Sequence, residues 1–343
     1  MNYEVELDDL IMTLVKEGGS DLHLTVGNFP TVRINRDLIP LTRKRELAAE
    51  DTLGFLRQMV GEKMLTSFVV SQELDFSYQH RKEYRLRGNA SFQRGVISIA
   101  LRLIPKVKSM SELSLPEQVV QIARSRQGFF LVVGPVGQGK STTLAAMLEL
   151  INTESKRHIV TIEDPIEFRF DVGKSIIEQR EVGVDTTDFN TALIHIFRQD
   201  ADVIMIGEMR GRDTISAAVT AAETGHLVLS TLHTNSAAGA IPRFMDMKIE
   251  PFLLVSTLNV IIAQRLVRKL GEQKKKKILT EAELATLKKT VNLDKVLAVL
   301  HEEKIVEKNA DWSNISFYEP APDKEGDDGY HGRLGIHEVL KVS

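Results

Sequence analysis

Residues 134–141 read Gly-Pro-Val-Gly-Gln-Gly-Lys-Ser, a full match to the pattern G-x-x-x-x-G-K-[ST]. The flanks supply the context such a loop requires. Gly128-Phe129-Phe130-Leu131-Val132-Val133 is an apolar run of the kind a buried parallel strand gives, and Ser141–Leu150 has helical spacing and good helix formers. A strand, a glycine loop and a helix let backbone N–H groups and the helix N-terminus converge on phosphate oxygens. The cradle is expected from Gly134, Pro135, Gly137, Gly139, Lys140, Ser141 and Thr142. Lys140 would reach the β/γ-phosphates, and the Ser141 hydroxyl would ligate Mg²⁺. A glycine turn that merely happens to carry a lysine would not need these flanks. The chain is read as binding ATP.

The surrounding pattern is α/β. From about residue 117, strands at 129–134, 158–163, 202–207 and 227–232 alternate with helices at 140–152, 187–199 and 212–224. That rhythm predicts a parallel sheet wrapped by helices. Ahead of it, Leu7, Leu10, Ile11, Leu14 and Val15 share a helical face that Gly18-Gly19 ends. Half-buried strands follow around Leu22–Val26 and Val32–Ile34, then a helix over roughly 49–66 and strands at 74–78, 83–92 and 95–103. The expected division is an α+β domain at 1–104, a linker at 105–116, an ATPase core at 117–270 and a helical or loop extension at 271–343. Within that extension Lys274–Lys277 reads as a solvated loop, 280–302 as charged helix and 319–329 as a mobile loop.

Composition narrows the class. At 343 residues the chain exceeds one ordinary core. A formal charge of −3 and sparse aromatics argue against a polyanion partner, so no nucleic acid is expected. With no cysteine there is neither a disulfide framework nor a thiolate metal site. No signal peptide is visible at the acidic N-terminus, and the greasy stretch Phe252–Ala263 is too short and interrupted to span a bilayer. The expectation is a cytoplasmic protein that serves a membrane from its inner face without inserting.

Hydrolysis needs a carboxylate near the metal and the attacking water. Val203–Gly207 is a buried strand that delivers Glu208, and Ile159–Ile162 is a second that delivers Glu163 and Asp164 before Pro165 stops it. Glu208 is expected as general base and Glu163 as holder of Mg²⁺ or its hydration shell; the plainer alternative is that each acid caps a neighbouring helix. His233 ends the strand that His226 begins, and it lies where such sheets face a nucleotide, as a γ-phosphate sensor or a satisfied structural histidine. His195 is expected to pack on an apolar helix face. Arg85, Arg87, Arg94 and Arg102 fall on predicted strands, either as solvated edge residues or as charges supplied to another subunit's site.

The segments Gly134–Thr142, Thr161–Phe168, Gln179–Gly183, Gly207–Arg210 and Thr224–Asn235 occur in an order that resembles the Walker A, Asp box, Walker B and His box of the type II secretion/type IV pilus ATPase superfamily. The resemblance covers nearly the whole chain. It implies a PAS-like N-terminal domain, a RecA-like P-loop domain, ATP held between them, and a homo-hexamer acting through an inner-membrane platform protein. It assigns Lys140 and Ser141 to phosphate and Mg²⁺, Glu208 to the catalytic glutamate and Glu163 to the Asp box. His226 and His233 become the His-box residues, and Arg87 and Arg102 the best match to arginines acting in trans, with Arg94 a weaker third.

The opening Gly19–Gly27 and the Glu163–Phe168 and Gln179–Gly183 runs resemble the pilus retraction branch. The sequence opens directly on this domain, whereas extension ATPases usually carry a further N-terminal one. Ile249–Phe252, Gln264–Leu270 and Gly329–Val339 resemble the extension and secretion branch instead, without that branch's four-cysteine site, and Gly211 stands where the family usually has Asp. The chain ends at Ser343, ahead of the C-terminal motif that retraction motors keep; it is either clipped or divergent. Retraction leads, with pilus extension or type II secretion as the alternative and a nucleic-acid translocase as a remote one. A small-molecule kinase would need an acceptor, and a subunit that binds without turnover would not need both Glu163 and Glu208.

Overall fold

The computed structural model describes residues 2–34, 37–322 and 328–342. α1 (Tyr3–Lys16) begins at Asn2, whose side chain accepts the N–H groups of Glu4 and Val5. It buries Leu7, Leu10, Ile11 and Leu14. There follow β1 (Asp21–Thr25), β2 (Thr31–Ile34), β3 (Asp37–Pro40), α2 (Ala49–Ser71), β4 (Glu73–His80), β5 (Tyr84–Gln93) and β6 (Val96–Ile104). The strands form one antiparallel sheet in the order β3-β2-β1-β6-β5-β4. Period-two alternation sends Leu86, Ala90, Ile99 and Leu101 inward against α1 and α2, and leaves Arg87 and Arg102 outside. α2 runs to Ser71, past the expected 66, after an interruption at Gly61, where φ is 72°. Arg94 lies in the β5–β6 turn at φ 52°, beside Gly95 at 81°, not on a strand as read from sequence.

The second unit comprises α3 (Glu117–Ala123), β7 (Gly128–Val133), α4 (Lys140–Glu154), β8 (His158–Glu163), β9 (Ile176–Glu181), α5 (Phe189–Ile196), β10 (Val203–Ile206), α6 (Arg212–Glu223), β11 (Leu227–Leu232), α7 (Ala240–Asp246), α8 (Pro251–Thr257), β12 (Leu258–Leu270), β13 (Lys274–Lys277), α9 (Glu281–Lys288), α10 (Leu293–Glu302), β14 (Phe317–Pro320) and β15 (Tyr330–Lys341). Its main sheet runs β15-β12-β7-β11-β10-β8-β9, parallel throughout except for β15. Both faces are covered, which explains the continuous apolar runs. Phe129, Leu131, Val133, Ile204 and Ile206 pack with Ala218, Phe244 and Leu254 on one face. Phe130, Val132, Val203 and Met205 pack with Leu144, Met147 and Ile151 on the other.

Several expectations are corrected. Lys274–Lys277 is a strand, β13, paired with β14, not a solvated loop; Lys274 lies over the Tyr318 ring and Lys277 meets Glu283 and Glu319. These contacts outweigh the low strand propensity of a lysine run. Residues 271–343 are not simply a helical extension, because β15 completes the main sheet beside β12 and a boundary at 270 would split that pair. The helix expected at 280–302 breaks into α9 and α10, and that at 187–199 shortens to α5. His195 is exposed rather than packed on an apolar face. Of the loop expected at 319–329, 319 and 320 belong to β14, and 323–327 lie outside the described residues. In the segment 105–116, expected as a linker, Met110 is buried in the cluster that includes α3 and α4 and Leu113 and Leu115 pack partly against it, while the other residues are exposed or half-buried. Among the described residues no helix is long and apolar enough to cross a membrane.

Candidate functional site

Parallel strands that start together also end together, and β7, β8, β10 and β11 deliver their following residues to one edge of the sheet. β7 leads into the glycine loop. Gly139 caps α4 at φ 78°, which an L side chain adopts only with strain. At Gly134 a Cβ would stand 2.7 Å from the Gln264 carbonyl oxygen, so only glycine fits the close approach to β12. Lys140 opens α4 and is buried; its ammonium donates to the Pro135 carbonyl at 3.0 Å. Burial pushes its pKa down, while Glu208 and Glu167 pull it up without reversing the shift. The loop therefore holds a cation short of counter-charge.

β8 ends at Glu163, which is 6% exposed. Its oxygens accept from the Thr161 hydroxyl at 2.6 Å, the Gln179 amide at 3.1 Å and the Glu167 N–H at 3.4 Å. Burial raises its pKa, and these hydrogen bonds only partly oppose the rise. β10 is followed by Gly207, whose carbonyl accepts from the Thr231 hydroxyl at 2.7 Å, fixing the departure of Glu208. The Glu208 carboxylate meets Arg210 at 2.6 Å and His233 Nε2 at 3.6 Å. Arg210 also reaches Asp164 at 3.4 Å, bridging the acidic ends of β8 and β10. A cavity of about 330 Å³ brings Gly137, Lys140, Ser141, Glu163, Glu208 and His233 together, alongside Arg210.

Gly139 and Thr142 face a neighbouring cavity of about 460 Å³ between 105–115 and the β12–β15 pair. Phe168 lines both cavities. Gly134 and Pro135 line neither cavity; Gly134 lies against the β12 backbone and the Pro135 carbonyl accepts from Lys140. His226 is corrected as a cofactor contact within this chain. It precedes β11, at the opposite end of the strand from His233, where its Nδ1 lies 2.9 Å from the Ala221 carbonyl and its ring meets Phe197 edge-on. Six strand residues separate the two histidines, a span of about 20 Å. Arg87 and Arg102 are paired in register on the exposed face of the N-terminal sheet and line neither cavity. Arg102 donates to Asp21 at 2.8 Å.

Arg210 and Arg265 join the site without a motif of their own to mark them. Arg210 follows Glu208 by two positions, a spacing that could have signalled a charge partner. Arg265 of β12 donates to the Asn235 carbonyl at 2.8 Å, tying the loop after His233 to the sheet. The two units also touch directly, since Arg169 donates to the Lys82 carbonyl.

Residues 75–343 match the family model described as type II/IV secretion system protein. The type IV pilus retraction ATPase PilT of Pseudomonas aeruginosa is 40% identical over 279 residues, which span 78% of this chain and 79% of that protein. The type II secretion system ATPase E of Vibrio cholerae is 42% identical over 355 residues, 96% of this chain and 63% of the relative. A crystal structure of the pilus retraction motor PilT with bound ADP superposes with a TM-score of 0.73 at 38% identity, covering 86% of this chain and 89% of that one.

Proposed function

The chain belongs to the type II/IV secretion system protein family and is an ATP-hydrolysing enzyme close to the pilus retraction ATPases, and we propose that it is the motor that withdraws a type IV pilus. The observation that carries the chemistry is the single cavity holding Lys140, Ser141, Glu163, Glu208 and His233. An arriving triphosphate supplies the counter-charge that buried Lys140 lacks. Glu208 orients and deprotonates the attacking water, while Arg210 and His233 hold its carboxylate in place. Water oxygen bonds to the γ-phosphorus, the bond to the β–γ bridging oxygen breaks, and ADP and phosphate leave.

The oxygen donors of Ser141 and Glu163 suit Mg²⁺, a hard cation. Mg²⁺ keeps several waters and takes phosphate oxygens as well, so one or two protein oxygens suffice. Bound there, Mg²⁺ would neutralise charge developing on the phosphates. Base and sugar are assigned to the second cavity, between 105–115 and β12–β15.

Mechanically, 1–104 and 117–270 act as domains joined by 105–116, with β15 belonging to the second. Nucleotide clamps the N-terminal domain of one protomer on the ATPase domain of another, hydrolysis releases it, and Arg87 and Arg102 sense the γ-phosphate in trans. Work would be done by a homo-hexamer at the cytoplasmic face of the inner membrane, on a platform protein. A secretion or extension role is the second reading, favoured by the 96% coverage in the match to the Vibrio cholerae protein. Deletion in the host separates them: hyperpiliated, non-twitching cells support retraction, whereas bald cells or a secretion defect replace it.

A further inference from the structure

Gln264 lies in β12 and is 4% exposed. Its amide nitrogen donates to the Gln138 carbonyl at 2.7 Å, and its amide oxygen accepts from the Thr143 hydroxyl at 2.7 Å. Gln138 belongs to the glycine loop and Thr143 to the first turn of α4, so the two contacts straddle Lys140 and Ser141. Gln138 closes the bracket from its own side, where its amide oxygen accepts the Leu266 N–H at 2.7 Å. A carbonyl can only accept, which fixes the Gln264 amide with its nitrogen towards Gln138. Backbone and side chain of Gln264 both crowd the loop: a Cβ at Gly134 would stand 2.7 Å from the Gln264 backbone carbonyl oxygen, and one at Gly139 would stand 3.0 Å from the Gln264 side-chain Nε2.

A loop with three glycines in six positions is otherwise free to adopt many shapes, and few of them aim its N–H groups at one point. We propose that Gln264 is a positioning residue for the phosphate loop. It touches no phosphate itself; by holding the Gln138 carbonyl and the Thr143 hydroxyl it sets the shape in which Lys140 and the loop amides meet one. The inference rests on reading this loop as the ATP site. It also gives β12 a part in nucleotide binding, although that strand follows the loop by more than a hundred residues.

The test uses the full chain with a fluorescent ADP and Mg²⁺, titrated against wild type and Gln264→Leu, with melting curves recorded with and without ADP. Gln264→Leu keeps the bulk but releases the Gln138 carbonyl and takes the partner from the buried Thr143 hydroxyl, so the dissociation constant should rise about tenfold or more. The rise in melting temperature on adding ADP should shrink accordingly. A variant that melts lower but keeps the full ADP-induced rise, or one that binds as wild type does, overturns the inference and leaves the ATP site standing. Should Gln264→Leu fail to fold, Thr143→Val decides on the same terms, with weaker binding in support and unchanged binding against. If wild type itself ignores ADP, the site reading falls and this inference falls with it.

Discussion

The proposed function gives the chemistry to Glu208 and the binding to Lys140, and single substitutions should separate the two. Glu208→Gln keeps the shape and loses the base, so phosphate release should fall by about 10²–10⁴-fold while nucleotide still binds. Lys140→Ala should instead weaken binding, measured by the same fluorescent ADP titration; unchanged affinity would remove its assigned role. Glu163 adds a pH signature. Its raised pKa means that the fold favours the protonated form, so this contribution is present below the ordinary carboxylate value and drains as pH rises through the raised one. Glu163→Gln removes that titration. The variant should melt higher than wild type above the window and converge with it in acid; parallel curves across the whole range would contradict the argument. The sequence could place Lys140, Ser141, Glu163, Glu208 and His233 at one cavity because the first two belong to the glycine-loop pattern and each of the others ends or follows an apolar strand run. Gln264 and Arg265 were not legible, because their partners lie far off in sequence and no local pattern marks which loop a strand residue will meet. His226 misled for a related reason: its motif spans a whole strand, and the two ends of a strand face opposite edges of the sheet.

Elements were read well where one period held and poorly where neighbours decided. β5 and β6 alternate cleanly, and the positions of β7, β10 and β11 follow from apolar runs bounded by polar residues. α8 passes into β12 at Thr257–Leu258 with no turn residue between, so the greasy stretch gave no sign of changing conformation. β15 is a glycine-bearing, largely polar segment that becomes a strand only through β12. Gly88 shows how tightly the N-terminal sheet is packed, since a Cβ there would stand 2.2 Å from the Phe76 ring. Gly88→Ala should cost about 1–3 kcal/mol of stability by denaturant titration. A loss within about 0.5 kcal/mol, as at an unconstrained surface site, would mean that the ring simply moves aside.

At the scale of the whole molecule, Arg102 stands on an exposed face away from the cavity of its own chain, tethered by Asp21. A trans role makes its effect depend on assembly. Phosphate release per chain should climb with protein concentration, and Arg102→Ala should flatten that climb, by about 10²-fold or more at saturation, while ADP affinity of the isolated chain stays close to wild type. A variant that retains the full climb would return Arg102 to a surface ion pair. Everything else depends on ATP being cleaved where Lys140 and Glu208 meet. The most direct measurement is steady-state phosphate release from Mg-ATP by the purified chain, run beside Glu208→Gln at matched nucleotide occupancy. The account predicts sustained release by wild type and near-complete loss in the variant. Equal release by the two, at equal occupancy, would contradict it.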